Sequence, residues 1–386
     1  MNYIDNEIWH LIECENKRQD DCINLIASEN ICPEEIRSLQ GSILTNKYAE
    51  GTSCARYYAG CEYVDIIEQL AQSRCLDLFN AHKDYIVSVQ PHSGTQANHA
   101  AYIALLKKGD VILSMDFASG GHLSHGHRLS IVSQLYDIHT YTVDPLTYML
   151  DYDVIQKIAY QVRPRLIIAG ASSYSRVIDY QKMADIAESV GAYLLADIAH
   201  IAGIIAAGLH PSPIGYADII TSTTQKTLRG SRGGFIIAKK EHEILINRAV
   251  MPGVQGGPFM HAIAAKAATF LYAQKYEFRE YQKNVLENAA FMADMFIKSN
   301  IPVISGGTDN HLFVINTMTY NKTGAEIEGK LEKKGIIVNK NGIPFDLLSP
   351  RVTSGIRIGT PFVTSQGKSK EELKTICEKI IEIIKN

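Results

Sequence analysis

Thr221-Ser222-Thr223-Thr224-Gln225-Lys226-Thr227-Leu228-Arg229-Gly230-Ser231-Arg232-Gly233-Gly234 follows the apolar run Ala217-Asp218-Ile219-Ile220. That run reads as a buried strand, so the chain delivers a lysine just past a strand end, among hydroxyl groups and glycines. Open α/β sheets keep their ligands at this edge. An isolated lysine is ordinarily a solvated side chain. Four hydroxyl residues before Lys226 and a Gly-Ser-Arg-Gly-Gly turn after it point instead to a Schiff-base lysine serving a phosphorylated carbonyl cofactor.

Outward from this stretch the pattern alternates. Strands are expected at 85–89, 111–114, 166–169, 192–196, 218–221 and 234–238, with helices at 64–79, 95–106, 152–160 and 181–190. The helix at 64–79 is expected to place Ile67, Leu70, Ala71 and Leu78 toward the core. Such alternation predicts an α/β fold with a mostly parallel sheet covered by helices on both faces. Residues 259–299 contain no glycine and predict one long helix or two in succession. They lead into a small C-terminal α+β domain with apolar runs at 303–304 and 312–315, a helix at 324–334 and a terminal helix at 370–385. Upstream, residues 6–20 predict an amphipathic helix with Ile8, Leu11 and Ile12 on one side, an arm that needs something to lie against. A short helix is expected over 33–39. The tract 46–63 is too long and too aromatic for an idle linker. We divide the chain into an N-terminal arm at 1–60, a large α/β domain at 61–275 and the small domain at 276–386.

A length of 386 residues favours more than one domain. With 46% apolar and 20% charged residues and a formal charge of −3, the chain has the composition of a soluble globular protein. It carries no electrostatic footprint for nucleic acid or an anionic membrane. Seven cysteines form an odd set without a CxxC pair, which argues for free thiols rather than a zinc site or a disulfide framework. Met1-Asn2-Tyr3-Ile4-Asp5-Asn6-Glu7 lacks the basic and apolar pattern of a secretory leader, so a cytoplasmic location is expected.

Three more groups bear on the chemistry. Ser93-Gly94-Thr95-Gln96-Ala97-Asn98 puts small hydroxyls and backbone N–H groups at a helix start, which suits either a phosphate cup or an ordinary helix cap. Asp197 follows the run 192–196; it could hold a pyridine nitrogen protonated, or simply cap a helix. A strand-end aspartate followed by a strand-end lysine, together with the cup, specifies a pyridoxal phosphate site. His122, after Gly120 and Gly121, could stack on the cofactor ring; with His125 it could also bind metal, but no carboxylate or cysteine cluster completes such a site, and no metal is expected. Arg357 interrupts an apolar strand pattern and needs an anion, either a substrate carboxylate or a buried structural partner.

The chain resembles the serine hydroxymethyltransferases, fold-type I pyridoxal phosphate enzymes. The resemblance is carried by Leu25-Ile26-Ala27-Ser28-Glu29-Asn30, Thr45-Asn46-Lys47-Tyr48-Ala49-Glu50-Gly51, Gly60-Cys61-Glu62-Tyr63-Val64-Asp65, Gln90-Pro91-His92-Ser93-Gly94, Gln255-Gly256-Gly257-Pro258, Ser305-Gly306-Gly307-Thr308-Asp309-Asn310-His311-Leu312 and the Arg357 segment. It implies an aspartate aminotransferase-like fold and a homodimer with shared active sites. It implies that Lys226 forms the internal aldimine, Asp197 meets the pyridine nitrogen and His122 stacks on the ring. Ser93, Gly94 and Thr95 would hold the phosphate, with Tyr48 and Gly257 from the neighbouring subunit; Ser172 and His200 would lie near the phenolic oxygen. Arg357 and Ser28 would take the substrate carboxylate. Glu50, Tyr57 and Tyr58 would reach across the dimer, Glu50 as acid or base, and Leu123 and Asn341 would also bind substrate. The implied reaction converts L-serine and tetrahydrofolate to glycine and 5,10-methylenetetrahydrofolate. A folate-independent aldolase on β-hydroxy amino acids and a catalytically silent scaffold are the other readings. Gln225 stands where the family usually has histidine, Val254 where glycine is usual, and Phe117 and Arg351 depart near the expected folate path.

Overall fold

Seven strands form the central layer, and the inner ones are buried on both faces, as expected for a sheet covered on two sides. The computed structural model describes residues 5–386; Met1, Asn2, Tyr3 and Ile4, with which the reading of the N-terminus begins, lie outside them. The strands run in the spatial order Tyr85–Ser88, Gly234–Lys239, Ile219–Thr223, Tyr193–Asp197, Leu166–Gly170, Val111–Met115 and Asp137–Tyr141. Gly234–Lys239 is antiparallel to both neighbours and the other six run parallel. One apolar cluster, including Val87, Leu113, Ile167, Leu194, Ile220 and Phe235, fills one face. A second, including Tyr102, Ile112, Leu166, Leu195, Ile219 and Ile236, fills the other. Neighbouring residues of one strand fall in different clusters, which is the period-two alternation of a pleated sheet.

Two helices follow in succession, Met260–Ala273 and Tyr276–Lys298. Along the second, Phe278, Tyr281 and Val285 pack with the large core, whereas Met292, Ala293 and Phe296 pack with a separate C-terminal core. That core lies against a three-stranded antiparallel sheet ordered Leu312–Asn316, Gly355–Gly359, Asn339–Asn341 and the terminal helix Lys370–Lys385. A capping box between Ser369 and Glu372 starts the terminal helix. The segment Ile23–Asn24 pairs with Ile336–Ile337, which ties the N-terminal region to the C-terminal core.

Two expectations are corrected. The strand Asp137–Tyr141 was not foreseen, because Asp137, His139 and Thr140 make it mostly polar, and all of it but Tyr141 lies exposed or half-buried at an outer edge. Leu70 is 41% exposed rather than in the core. The helix Glu62–Phe79 has two apolar faces: Val64, Ala71, Cys75 and Leu78 point inward, while Tyr63, Ile66 and Leu70, spaced as one helical face, point outward. The helix Asn6–Asp21 buries no residue, and its Ile8, Trp9, Leu11 and Ile12 are each at least half exposed.

Candidate active site

At the C-terminal ends of the parallel strands a cleft of about 1310 Å³ opens between the two cores. Lys226 reaches it just beyond the strand Ile219–Thr223 and is 9% exposed. Among the described residues Lys226 is hydrogen-bonded only through its carbonyl, which accepts from Asn30 Nδ2 at 2.9 Å and from the Arg229 N–H at 3.1 Å. Burial pushes the amine down to about 8; the Asp197 charge opposes this, while Arg357 and Arg232 add to it. An amine so placed is a neutral nucleophile over a far larger share of time near neutral pH than a solvated lysine.

Asp197 ends the strand Tyr193–Asp197, beside the lysine strand. Burial alone would raise its carboxyl, but the bonds from His125 and Asn98 and the nearby imidazoles outweigh that and hold it below the usual carboxylate range. Oδ2 accepts from Asn98 Nδ2 at 2.9 Å and from His125 Nε2 at 2.9 Å; Oδ1 accepts from the Ala199 N–H at 3.0 Å. The His122 N–H donates to His125 Nδ1 at 3.2 Å, so the His125 proton sits on Nε2, facing the carboxylate. Asn98 Oδ1 in turn accepts from Thr221 Oγ1 at 2.6 Å. The carboxylate is therefore fixed in position and kept charged.

The helix Gly94–Leu105 opens into the cleft. Ser93 Oγ accepts from the Gln96 N–H at 3.3 Å, which is a helix cap, and the N–H groups of Gly94 and Thr95 have no partner inside the helix. A Cβ at Gly94 would lie 2.6 Å from Thr223 Cγ2, so this helix start sits directly against the lysine strand. His122 is pushed down to about 4 by burial and by His125, and its Nδ1 lies 2.7 Å from Ser124 Oγ. His200 Nδ1 lies 3.2 Å from His311 Nε2; burial depresses both rings, His311 to about 3.

Arg357 comes from the small sheet and is 9% exposed. Nη1 donates to the Ser172 carbonyl at 2.7 Å and Nε to Asn339 Oδ1 at 3.1 Å. No described carboxylate pairs with it, so the alternative of a buried structural ion pair falls away. Burial lowers it only to about 10, leaving a charged guanidinium in need of an anion.

The cleft brings together Lys226, Asp197, His200, His122, Ser93, Gly94, Thr95, Ser172, Ser28, Arg357, Leu123 and Asn341. It does not include Tyr48, Glu50, Tyr57, Tyr58 or Gly257. These lie on the outside of the same chain, where Tyr48 packs edge-on to Tyr58 with centroids 5.6 Å apart and Gly257 lies against the Tyr48 ring. Tyr58 donates to Glu50 Oε2 at 3.3 Å, and the Glu50 charge raises the Tyr58 phenol. Asn98 and Arg232 also line the cleft and were not singled out from the sequence, although each lies within a stretch that was; His125, weighed there only as a metal ligand, lines it too. Of the departures, Gln225 and Phe117 line the cleft, whereas the Val254 carbonyl accepts from Gln96 Nε2 at 3.0 Å outside it.

The residues present fit pyridoxal phosphate. Ser172 Oγ and Gln225 Oε1 are buried without a partner, the lysine amine is unpaired, and a charged aspartate faces the same space as an anion-ready helix start. A mostly parallel sheet with this lysine and aspartate at its C-terminal edge defines a fold-type I pyridoxal-phosphate-dependent enzyme. Comparison with known proteins narrows the class. The family model described as Serine hydroxymethyltransferase matches residues 1–380. A protein of Phytoplasma australiense named serine hydroxymethyltransferase is 54% identical over 386 residues, covering 99% of this chain and 93% of its own. One of the same name from Coprothermobacter proteolyticus is 51% identical over 379 residues, covering 98% and 91%. The chain belongs to the serine hydroxymethyltransferase family.

Proposed function

We propose that this enzyme is a glycine hydroxymethyltransferase, interconverting L-serine plus tetrahydrofolate and glycine plus 5,10-methylenetetrahydrofolate. The observation that carries this reading is the company of Lys226: a buried amine near its neutral form, an ionised aspartate and an acid-free buried arginine share one cleft. Pyridoxal phosphate, when bound, supplies the electron sink that takes up the charge left on Cα as the serine Cα–Cβ bond breaks. The chain does the rest. Lys226 Nζ provides the covalent anchor, and Asp197, braced by Asn98 and His125, keeps a negative charge where a ring N–H needs it. Gly94 and Thr95 present N–H donors to phosphate. Arg357 and Ser28 hold the amino-acid carboxylate and thereby fix which Cα bond is presented for cleavage. His122, His200, Ser172, Leu123 and Asn341 complete the walls.

Tyr48, Glu50, Tyr57, Tyr58 and Gly257 are read as the partner's share of each site, in a homodimer. Their place outside the cleft, with Tyr48, Tyr57 and Tyr58 exposed and the apolar Ile43, Tyr63, Ile66 and Leu70 of the same part of the chain exposed as well, supports this. The division into 1–60, 61–275 and 276–386 is kept as a working description; a separate C-terminal core supports its last part, although Leu25 of the arm packs there and Phe278, Tyr281 and Val285 pack with the large core. All seven cysteines are free, and no described helix is long and apolar enough to cross a membrane, which supports a cytoplasmic enzyme acting on small molecules. Glycine formation from L-serine by the cofactor-loaded protein, with and without tetrahydrofolate, tests the reading. Turnover that depends on tetrahydrofolate is expected; equal rates would favour the folate-independent aldolase.

A further inference from the structure

The molecule holds a second buried lysine, behind the cup rather than in the cleft. Lys266, on the helix Met260–Ala273, is 1% exposed. Its Nζ donates to the carbonyls of Val89 at 2.6 Å, Pro91 at 2.8 Å and Gly234 at 2.9 Å. Three carbonyls for three N–H protons is the full complement of an ammonium. Among the described residues no carboxylate bonds to it. Glu68, whose charge acts on Lys266 from nearby, is itself taken up by the Arg56 guanidinium and by Gln90 Nε2.

The three acceptors are not scattered. Val89 and Pro91 lie on the chain leading from the first strand into Ser93, Gly94 and Thr95, while Gly234 pairs in register with Thr223 on the lysine strand. The Gly234 N–H also donates to the Pro91 carbonyl at 3.1 Å, and a Cβ at Gly234 would lie 2.3 Å from the Ser93 carbonyl oxygen. A Cβ at Gly233 would lie 2.4 Å from Lys266 Cε, so the turn after Lys226 closes onto the lysine stem. One side chain thus ties the segment that forms the cup to the segment that follows the Schiff-base lysine. Burial of an ammonium without a paired anion is costly, and burial pushes this amine down to about 7. An anion in the cup would offset that cost.

We infer that Lys266 is a positioning residue for the cofactor phosphate, pinning the backbone of the cup from behind and supplying the buried positive charge that the phosphate compensates. This rests on the reading of Ser93, Gly94 and Thr95 as the phosphate cup. It concerns the phosphate alone: the side chain lies among carbonyls and touches neither the lysine amine nor the arginine that would hold substrate.

The test compares pyridoxal 5′-phosphate with pyridoxal, which lacks the phosphate, by absorbance titration of resolved wild-type and Lys266→Met protein. Loss of one charge and its directed bonds should weaken pyridoxal phosphate by about tenfold or more and change pyridoxal by less than about twofold. Equal weakening of both ligands would show a merely structural role and overturn the inference. If the wild type bound the two equally, the cup reading itself would fail, which is a different result. Should the methionine variant not fold by circular dichroism, Lys266→Gln gives the same comparison, since it keeps N–H donors without the charge. If neither folds, the ammonium serves the fold rather than the phosphate, and the inference is withdrawn.

Discussion

The cleft floor and the outward face of residues 43–70 carry the same kinds of side chain in opposite settings. In the cleft, Lys226 and Arg357 are buried, and among the described residues neither makes an ion pair. On the outward face, Glu50 and Tyr58 are paired with each other, Glu50 half-buried and Tyr58 open, and the described residues leave Tyr48, Tyr57, Tyr63 and Ile66 exposed. Openness there is not looseness. Arg56, buried at 3% of its side chain, binds Asp65 at 2.8 Å and Glu68, and donates to the carbonyls of Ala49 at 3.0 Å and Gly51 at 2.7 Å. Glu50 therefore sits between two backbone carbonyls fixed by a buried guanidinium. A fixed, half-buried acid on a face of exposed apolar side chains is what one half of a shared site presents before the other half arrives.

The comparison can be broken from the cleft side first. Lys226→Ala should lower turnover by about 10⁴-fold or more, through loss of the covalent anchor, and leave the sedimentation profile unchanged. Near-normal multiple turnover would remove the lysine from the chemistry. Arg357→Ala should weaken serine by about 10²–10³-fold in KM, the range expected for a buried charge-assisted pair, with a smaller change in kcat. On the outward face, Ile66→Asp should loosen association, so that activity falls on dilution at concentrations about 10²-fold higher than for wild type. If dilution curves coincide, that face is not an interface.

Two smaller effects sharpen the electrostatics. Lys226 has its amine pushed down to about 8, and only the neutral amine attacks a carbonyl. Cofactor loading of the resolved protein should rise about tenfold per pH unit below pH 8 and level off above it. A solvated lysine would continue to rise toward pH 10. The sign for stability agrees: between about 8 and 10.5 the unfolded chain binds the extra proton, so the resolved protein should gain stability as pH rises through that window. Smallest is Gln225→His, expected to change kcat severalfold and to add a titrating group to the pH profile. An unchanged profile would make this position incidental.

Much of this was legible because the chemistry sits in short contiguous stretches. Lys226 in its hydroxyl-rich loop, Asp197 after an apolar strand and Ser93-Gly94-Thr95 at a helix start each declare themselves by neighbours within a few residues. The supports did not. Asn98 reads as one polar residue in an alanine-rich helix, and His125 as one of two histidines; their convergence on Asp197 spans 99 and 72 residues of chain. Lys266 was the hardest case. In His261-Ala262-Ile263-Ala264-Ala265-Lys266-Ala267 it reads as a solvated lysine on a helix, and only the approach of three distant carbonyls reveals it. Leu70 failed for the converse reason: helical spacing shows that a face is apolar, not which body covers it.

One measurement tests the whole account most directly. Lys226→Ala and Glu50→Ala, each expected to be inactive alone, are co-expressed with different tags and the doubly tagged hybrid is isolated. If one chain supplies the cleft and its partner supplies Glu50, the hybrid holds one intact site. It should then convert L-serine to glycine in a tetrahydrofolate-dependent manner at about half the wild-type rate per dimer. A hybrid as inactive as its parents would contradict a site shared between two copies of this chain.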